Sequence, residues 1–353
     1  MTDDPTGART DRSTAPTGSQ TQAARIAVLG GTLAIGGGVA VTVLTGSLPR
    51  SVQLLPLVAS VLVLGLPHGA VDHLVLPRAR GERVTRGDLA FVGALYLVVG
   101  SLYALVWFLV PAVAFALFIA ITLAHWGQGD VYTLVELAGA SHLKTRSLRV
   151  LTAVVRGGLP MLVPLVAFPT EYAFVAGALI GLFDPAAATA LEPIFASRTR
   201  LAVAVGFGTL IVLTLGIGLF HADDRGPWLV DVAETLGLLA YFAVVPPILA
   251  IGLYFTLWHS LRHIVRTMLL DDRANEALEQ GETSLAFVRF ASDAAPLTAA
   301  ALLGFVALGI LVPATPATLS DALGLYLVGI AVLTLPHVIV VTLLDREAGL
   351  WSP

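Results

Sequence analysis

Long apolar segments alternate with short polar breaks along most of this chain. A membrane-spanning helix needs about 20 predominantly apolar residues. The 172–184 segment is the shortest candidate, so a count of eight or nine spans is the alternative to ten. The pattern predicts an all-α fold, a polytopic transmembrane helix bundle of about ten spans (range eight to ten). The candidate spans lie at roughly 26–46, 52–76, 89–110, 112–137, 149–168, 172–184, 201–220, 232–261, 293–313 and 322–344.

Residues 1–24 differ from the rest of the chain because they are polar and contain no apolar run. Such a segment buries too little apolar surface to offset its ordering entropy, so we expect a disordered N-terminal tail. We do not expect a signal peptide, because no short apolar region with a small-residue cleavage site follows. Residues 25–353 are predicted to form a single transmembrane domain, with no separate soluble domain.

The composition agrees with a bilayer environment. Hydrophobic residues make up 56% of the chain and charged residues 12%, whereas a soluble domain carries about 25% charged residues. The mean hydropathy is +0.86. The absence of cysteine excludes disulfides, thiolate metal sites and cysteine nucleophiles. The net charge of -4 comes without a basic stripe, so we expect no nucleic-acid partner.

The positions of the basic residues indicate the orientation in the membrane. Cytoplasmic loops carry an excess of lysine and arginine. If ten spans start from a cytoplasmic N-terminus, only Arg50 and Arg225 fall in outer loops, and Arg156 lies within a span. Omitting one span would invert every later loop and spoil this pattern. We therefore expect a multi-pass protein of the plasma membrane with its N- and C-termini in the cytoplasm.

Six of the eight histidines fall within predicted spans, where polar residues are costly and usually face the bundle interior. The other two, His142 and His221, fall in loops, where we expect no special role. The second, fourth, eighth and tenth spans carry the six, and all four run from outside to inside. The topology therefore places these histidines at similar depth near the inner side, as a shared site requires. They are His68, His73, His125, His259, His263 and His337.

Residues His259 and His263 are four apart, so both project from one helix face, a spacing that suits two ligands of one metal. Anchoring of the helix end at the interface is the alternative. With His68 and His125 they offer four neutral imidazoles, and an all-imidazole site suits Fe, Cu, Zn or Ni. Proline and glycine flank His68, which predicts a break in its helix.

Charged residues within the spans have open roles. Asp72, Asp130 and Asp345 are candidates to orient a ligand by accepting its other N–H. Helix capping or interfacial solvation is the alternative for each. Arg156 either snorkels to the inner interface or pairs with an acid near the site.

Four short segments together resemble the Brp/Blh family of membrane-bound β-carotene 15,15'-dioxygenases. They occur in order over nearly the whole span region, and the combination is specific although each motif is short. The tail and the first span lie outside it. The segments are Gly65–Asp72 with Pro-His-Gly, His125–Asp130 with His-Trp-Gly, His259–His263 with His-x-x-x-His, and Leu335–Asp345 with Pro-His.

This resemblance implies iron-dependent cleavage of the central double bond of β-carotene with O2, giving two molecules of all-trans-retinal. It makes 25–353 a single carotenoid-cleaving domain. It implies no ligand role for His337, and His73 ranks below the implied ligands. The catalytic residues and ligands of Fe(II) are implied to be His68, His125, His259 and His263.

A carotenoid requires an apolar tunnel with few polar contacts. We expect it to enter from the lipid bilayer, and a retinal-binding opsin is a candidate acceptor of the product. Trp126 and Trp258, each beside an implied ligand, are candidates to line the tunnel, and ordinary aromatic packing is their alternative role.

A membrane transporter with a histidine proton relay is the alternative function. The absence of a detectable repeat between the two halves disfavours it. A zinc protease would carry Glu after its first histidine, whereas Ser260 follows His259. An opsin needs a lysine in a span, but the single lysine, Lys144, lies in a predicted loop.

Overall fold

The computed structural model describes residues 17–351, and this part of the chain is helical with no β-strand. The predicted all-α fold is confirmed. Its principal helices are α1 (Gly18–Thr45), α2 (Arg86–Leu109), α3 (Pro111–Leu137), α4 (Arg146–Ala167), α5 (Pro169–Ile180), α6 (Ser197–His221), α7 (Arg225–Val244), α8 (Pro247–Met268), α9 (Thr283–Leu311) and α10 (Leu319–Glu347). Shorter helices are Arg50–Gln53, Leu55–Ser60, Leu66–Gly69, Asp72–Ala79, Pro185–Leu191, Glu192–Phe195 and Asp272–Glu279.

Nine helices between residues 17 and 351 are long and apolar enough to cross a membrane. They are all the principal helices except α5, so the number lies within the predicted range. The predicted span 172–184 is wrong, because α5 has only 12 residues. The predicted span 52–76 is not one continuous helix. Residues 50–79 instead form four short helices, which we call the broken segment.

The predicted single span at 232–261 is two helices. Helix α7 ends at Val244 and α8 begins at Pro247, because Val245 and Pro246 are extended, with ψ of 132° and 136°. Proline lacks an N–H group and disfavours the helical conformation of the residue before it. The apolar run continues through this break, so hydropathy alone does not reveal it.

These differences move two loops to the opposite end of the bundle. Arg200 donates to the carbonyl of Val166 at 3.2 Å, so α6 begins beside the end of α4. Lys144, which precedes α4, pairs with Asp223, which follows α6. Arg200 therefore lies at the end predicted as outer, and Arg225 at the end predicted as inner. The span lost at 172–184 and the span gained by the division of 232–261 cancel. Helices α8 and α10 therefore keep the predicted direction relative to α3.

Helix α1 begins earlier than predicted. Residues 18–24, expected in the disordered tail, form its first turns. A capping box at Thr17 satisfies its first backbone N–H groups, and Gln22 donates to Thr283 of α9 at 2.9 Å. Capping and a tertiary contact therefore outweigh the polar composition. The rest of the predicted tail, residues 1–16, lies outside the described residues.

Close packing fixes the helix that carries His125. A Cβ added to Gly127 would lie 1.9 Å from the carbonyl oxygen of Ala153, and one added to Gly157 would lie 1.8 Å from that of Leu123. Small residues allow such approach between membrane helices. Helix α3 is thus held against α4 within one turn of His125.

Candidate metal centre and apolar cavity

Five buried histidines from four separate parts of the chain meet inside the bundle. The ring centroid of His68 lies 4.9 to 5.4 Å from those of His259, His263 and His337. The ring of His125 lies 4.7 Å from His259 and 4.8 Å from His337. The structure thus brings together the four residues predicted as ligands and adds His337. We call these five residues the histidine cluster.

His68 reaches the cluster because the broken segment departs from regular helix. Leu64 has a positive φ of 65°, a region that non-glycine residues rarely adopt, and Leu66–Gly69 forms a single 3₁₀ turn. Nδ1 of His68 donates to the carbonyl of Gly65. This hydrogen bond satisfies a backbone group freed by the break and leaves the lone pair of Nε2 for the cluster.

Helix α8 widens into a π-helical turn at Tyr254–Ser260, a feature that is frequent at functional sites. His259 lies in this turn, and His263 lies in the α-helical turn that follows. Both rings contact the ring of His68, at 5.3 and 5.4 Å. The four-residue spacing therefore presents both histidines to His68, although His259 lies in the π-helical turn and His263 in the α-helical turn.

The ring nitrogens of the cluster have the arrangement that a cation requires. Nε2 of His125 and Nε2 of His259 face each other at 3.1 Å. Nε2 of His263 and Nε2 of His337 are buried with no hydrogen-bond partner. Buried polar atoms are nearly always paired, and a metal ion can bond several imidazoles at once. The residues of the cluster therefore fit a metal centre.

Two overlapping groups have ligand atoms within 4.8 Å of one another: His68, His125 and His337, and also Asp72, His263 and His337. Bonds of about 2 Å put two donors of one ion at most about 4 Å apart, so small side-chain rotations close the difference. His337 belongs to both groups, although no ligand role was expected for it. In the sequence, the depth of His337 in the tenth predicted span, similar to that of the other histidines, is the feature that indicates a place in the shared site.

Of the three carboxylates that are candidates to orient a ligand, only Asp72 contacts the cluster. Its oxygens lie 3.0 and 2.8 Å from Nδ1 of His337. Asp130 instead accepts from Nε1 of Trp258 at 2.9 Å, and Asp345 pairs with a buried arginine of α8 at 2.7 Å. Both side chains are buried, so they are neither capping nor solvated residues.

Arg156 is fully buried and belongs to an ion network that joins three helices. Its Nη2 donates to Glu234 at 2.8 Å and to Asp231 at 3.1 Å, both on α7. Glu234 also accepts from Arg262 of α8 at 2.7 Å. Arg156 therefore pairs with acids and does not snorkel to the interface. The network ties α4 and α7 to the helix that carries two histidines of the cluster.

The other three histidines lie outside the cluster. His73 is partly buried and lines the cavity described below. His142 lies in a loop as predicted, but it is buried, with Nε2 3.1 Å from a carboxylate oxygen of Asp231. His221 is exposed and ends α6. Neither of the last two contacts the cavity.

A cavity with a volume of about 1030 Å³ adjoins the cluster, near the upper limit of the 300–1,000 Å³ usual for small-molecule sites. Apart from histidines, the wall of the cavity is mainly apolar, and it includes Trp126, as predicted. Trp258 does not line it, and instead contacts the guanidinium of Arg262, 3.7 Å from the ring centroid. The cluster residues in the cavity wall are His68, His125, His259 and His337.

A histidine cluster fit for a metal lies in the wall of an apolar cavity, within a bundle of helices that are long and apolar enough to span a membrane. These features define a class of membrane-embedded protein with a metal-binding site beside an apolar cavity. Residues 59–345 match the family described as beta-carotene 15,15'-dioxygenase. The chain belongs to that family, and the predicted resemblance is confirmed.

Two relatives from Halobacterium salinarum match most of the chain. One, named probable beta-carotene 15,15'-dioxygenase Blh, is 46% identical and aligns with 88% of this chain and 90% of its own. The other, named probable beta-carotene 15,15'-dioxygenase Brp, is 33% identical over 86% of this chain and 87% of its own. A beta-carotene 15,15'-dioxygenase from an uncultured marine bacterium is 32% identical over 20% of this chain and 26% of its own. No solved structure matches the chain.

The ion network generates a prediction about stability. Glu234→Gln removes the charge of a partly buried carboxylate that the guanidinium groups of Arg156 and Arg262 share, and hydrogen bonds to charged groups contribute about 1.5 to 3 kcal/mol. We expect a lower midpoint of thermal unfolding, measured by tryptophan fluorescence in detergent micelles. Glu279→Gln, at an exposed position, is the matched control and should change stability by less than about 0.5 kcal/mol. Equal midpoints for the two variants would contradict a supporting role for the network.

Proposed function

We propose that this chain cleaves the central 15,15' double bond of β-carotene with O2 and releases two molecules of all-trans-retinal. The names of the two relatives that match most of the chain support this activity. The observation that carries the proposal is the histidine cluster in the wall of the apolar cavity. It puts metal-binding groups where a long hydrocarbon would lie.

Iron is the metal that we assign to the cluster. Imidazole is a ligand type suited to iron, and the chain has no thiolate that would favour a softer metal. Bound Fe(II) with open positions would supply the binding and activation of O2, which amino-acid side chains do not provide. The ligands that we propose are those implied by the family resemblance, namely His68, His125, His259 and His263.

The task of the cavity is to bind the carotenoid and to select one double bond. β-Carotene has no polar group, so its binding depends on the removal of apolar surface from water or lipid and on shape. Phe115, Phe118 and Phe255 are among the residues that line the cavity. Because the cluster occupies one part of the wall, the position of the carotenoid along the cavity decides which bond lies beside it.

The substrate is proposed to arrive from the lipid bilayer between α2 and α9. Exposed apolar residues of both helices line the cavity, including Leu97 (70% exposed) on α2 and Leu311 (66%) on α9. Gly93 and Gly304 also line it, and a Cβ built on either meets no atom within 4 Å. In a membrane these surfaces contact lipid chains, so a carotenoid reaches the cavity without crossing water.

We assign the protein to the plasma membrane with both termini in the cytoplasm. Among residues 17–351, Arg50, Arg198 and Arg200 are the basic residues at the outer end of the bundle, and an excess of basic residues marks the cytoplasmic side. Retinal is apolar except for its aldehyde group and would return to the bilayer by the same lateral opening. A retinal-binding opsin in that membrane is the proposed acceptor.

Expression in bacterial cells that accumulate β-carotene tests the proposed reaction. We expect the cells to lose colour and to yield retinal in extracts analysed by liquid chromatography. His125→Ala should abolish retinal formation because it removes a proposed ligand, whereas His221→Ala, at an exposed position, should not. Full retention of β-carotene by cells that express the protein in the membrane and receive iron would contradict the proposal.

The lateral opening generates a second prediction. Gly304→Leu places a branched side chain in the path between α2 and α9, and a misfit of this size in an apolar site costs about tenfold in rate. We expect slower retinal formation by purified protein with unchanged iron content. Gly206→Leu is the matched control, because Gly206 is an exposed glycine of α6 outside the cavity, also with no atom within 4 Å of a Cβ. If both variants cleave β-carotene at the same rate, the substrate does not pass α9.

A further inference from the structure

We propose that His337 is a fifth ligand of the metal centre and that Asp72 holds it in the ligating tautomer. The inference rests on the proposed function, because it assumes that the cluster binds iron. It extends that proposal to a residue of α10, the last helix of the bundle, and to a carboxylate of the broken segment.

The position of His337 is the first argument. Its ring lies 4.9 Å from that of His68, 4.8 Å from that of His125 and 5.1 Å from that of His263. It therefore contacts three of the four proposed ligands. The group of three histidines with mutually close ligand atoms includes His337 and two of those four. An ion bonded to His68 and His125 would lie within reach of His337.

The hydrogen bonding of His337 is the second argument. Nδ1 of His337 donates to Asp72, whose carboxylate oxygens lie 3.0 and 2.8 Å away. The proton of a neutral imidazole therefore resides on Nδ1. The lone pair is then on Nε2, which is buried and has no partner. Metal-ligating histidines typically donate their other N–H to a carboxylate, which fixes the ring and raises its basicity. His337 has this arrangement.

The residues around this pair keep its geometry fixed. Tyr96 of α2 donates to Asp72 at 2.6 Å, so the carboxylate is itself oriented. A Cβ on Gly69 would lie 3.3 Å from Nδ1 of His337, which is tighter than ordinary contact. The glycine of the Pro-His-Gly element therefore leaves room for the ring of His337 against the turn that presents His68.

A purely structural ion pair between His337 and Asp72 is the competing explanation. It accounts for Nδ1 but leaves Nε2 buried among other imidazoles without a partner, an arrangement that is rare in proteins. It also provides no reason for a ring nitrogen of His337 to lie within 4.8 Å of ring nitrogens of His68 and His125. Ligation of a metal accounts for both nitrogens.

Iron retention by the purified full chain tests the proposal. Iron-loaded protein and variants are dialysed against graded concentrations of a ferrous chelator, and the remaining iron is measured by mass spectrometry. We expect His337→Ala and His337→Gln to bind Fe(II) at least about tenfold more weakly than the unmodified chain, and Asp72→Asn about 10- to 100-fold more weakly. The control His73→Ala removes a neighbouring histidine that belongs to neither group of close ligand atoms, and should retain iron like the unmodified chain, because no ligand is lost.

X-ray absorption of the iron-loaded, unmodified chain provides a measurement that does not depend on the folding of a variant. We expect scattering from five imidazoles. Four imidazoles, or unchanged iron affinity in a folded His337→Ala protein, would overturn the fifth ligand. If His125→Ala and His259→Ala lose iron while His337→Ala keeps it, the proposed function stands without this inference. If the unmodified chain binds no iron and forms no retinal, both fail.

Discussion

The burial of five imidazoles in an apolar bundle is the constraint on which the rest of this structure depends. Each ring has a donor and an acceptor nitrogen, and a buried polar atom without a partner is costly. Gly65 and Asp72 satisfy the outward nitrogens of His68 and His337. Of the nitrogens that face inward, Nε2 of His125 and of His259 face each other, and Nε2 of His263 and of His337 have no partner. A single cation would satisfy several of them at once, which explains why a protein would gather them in this medium.

The surrounding backbone is irregular where it serves this cluster. The broken segment supplies His68 from a 3₁₀ turn, and a π-helical turn of α8 supplies His259. The buried network around Arg156 holds α8 against α4 and α7, and Gly127 and Gly157 allow α3 and α4 to touch. The broken segment, α3, α4 and α8 also line the cavity, so elements that orient the histidines also determine where an apolar ligand would lie.

Hydropathy and charge predicted the helical bundle and the direction of the helices that carry the histidines. They did not reveal the break at Val245 and Pro246, because apolar residues continue through it. They marked 172–184 as the shortest candidate, but the preferred count of ten still included it, whereas its helix of 12 residues is too short to cross. The error at 172–184 and the missed break compensate each other. The family motifs pointed to four histidines that the structure brings together. The topology placed His337 at the depth of the other histidines, but its contact with Asp72 could not be predicted, because the two residues lie 265 residues apart and only the packing of α10 joins them.

The most direct test of the account is the dependence of retinal formation on metal. Purified protein is stripped with a chelator, and β-carotene cleavage is measured in detergent micelles before and after addition of Fe(II) or Zn(II). The account predicts that the stripped protein forms no retinal and that activity returns with about one Fe(II) per chain, but not with Zn(II), which has no redox chemistry. Retinal formation by metal-free protein would contradict it.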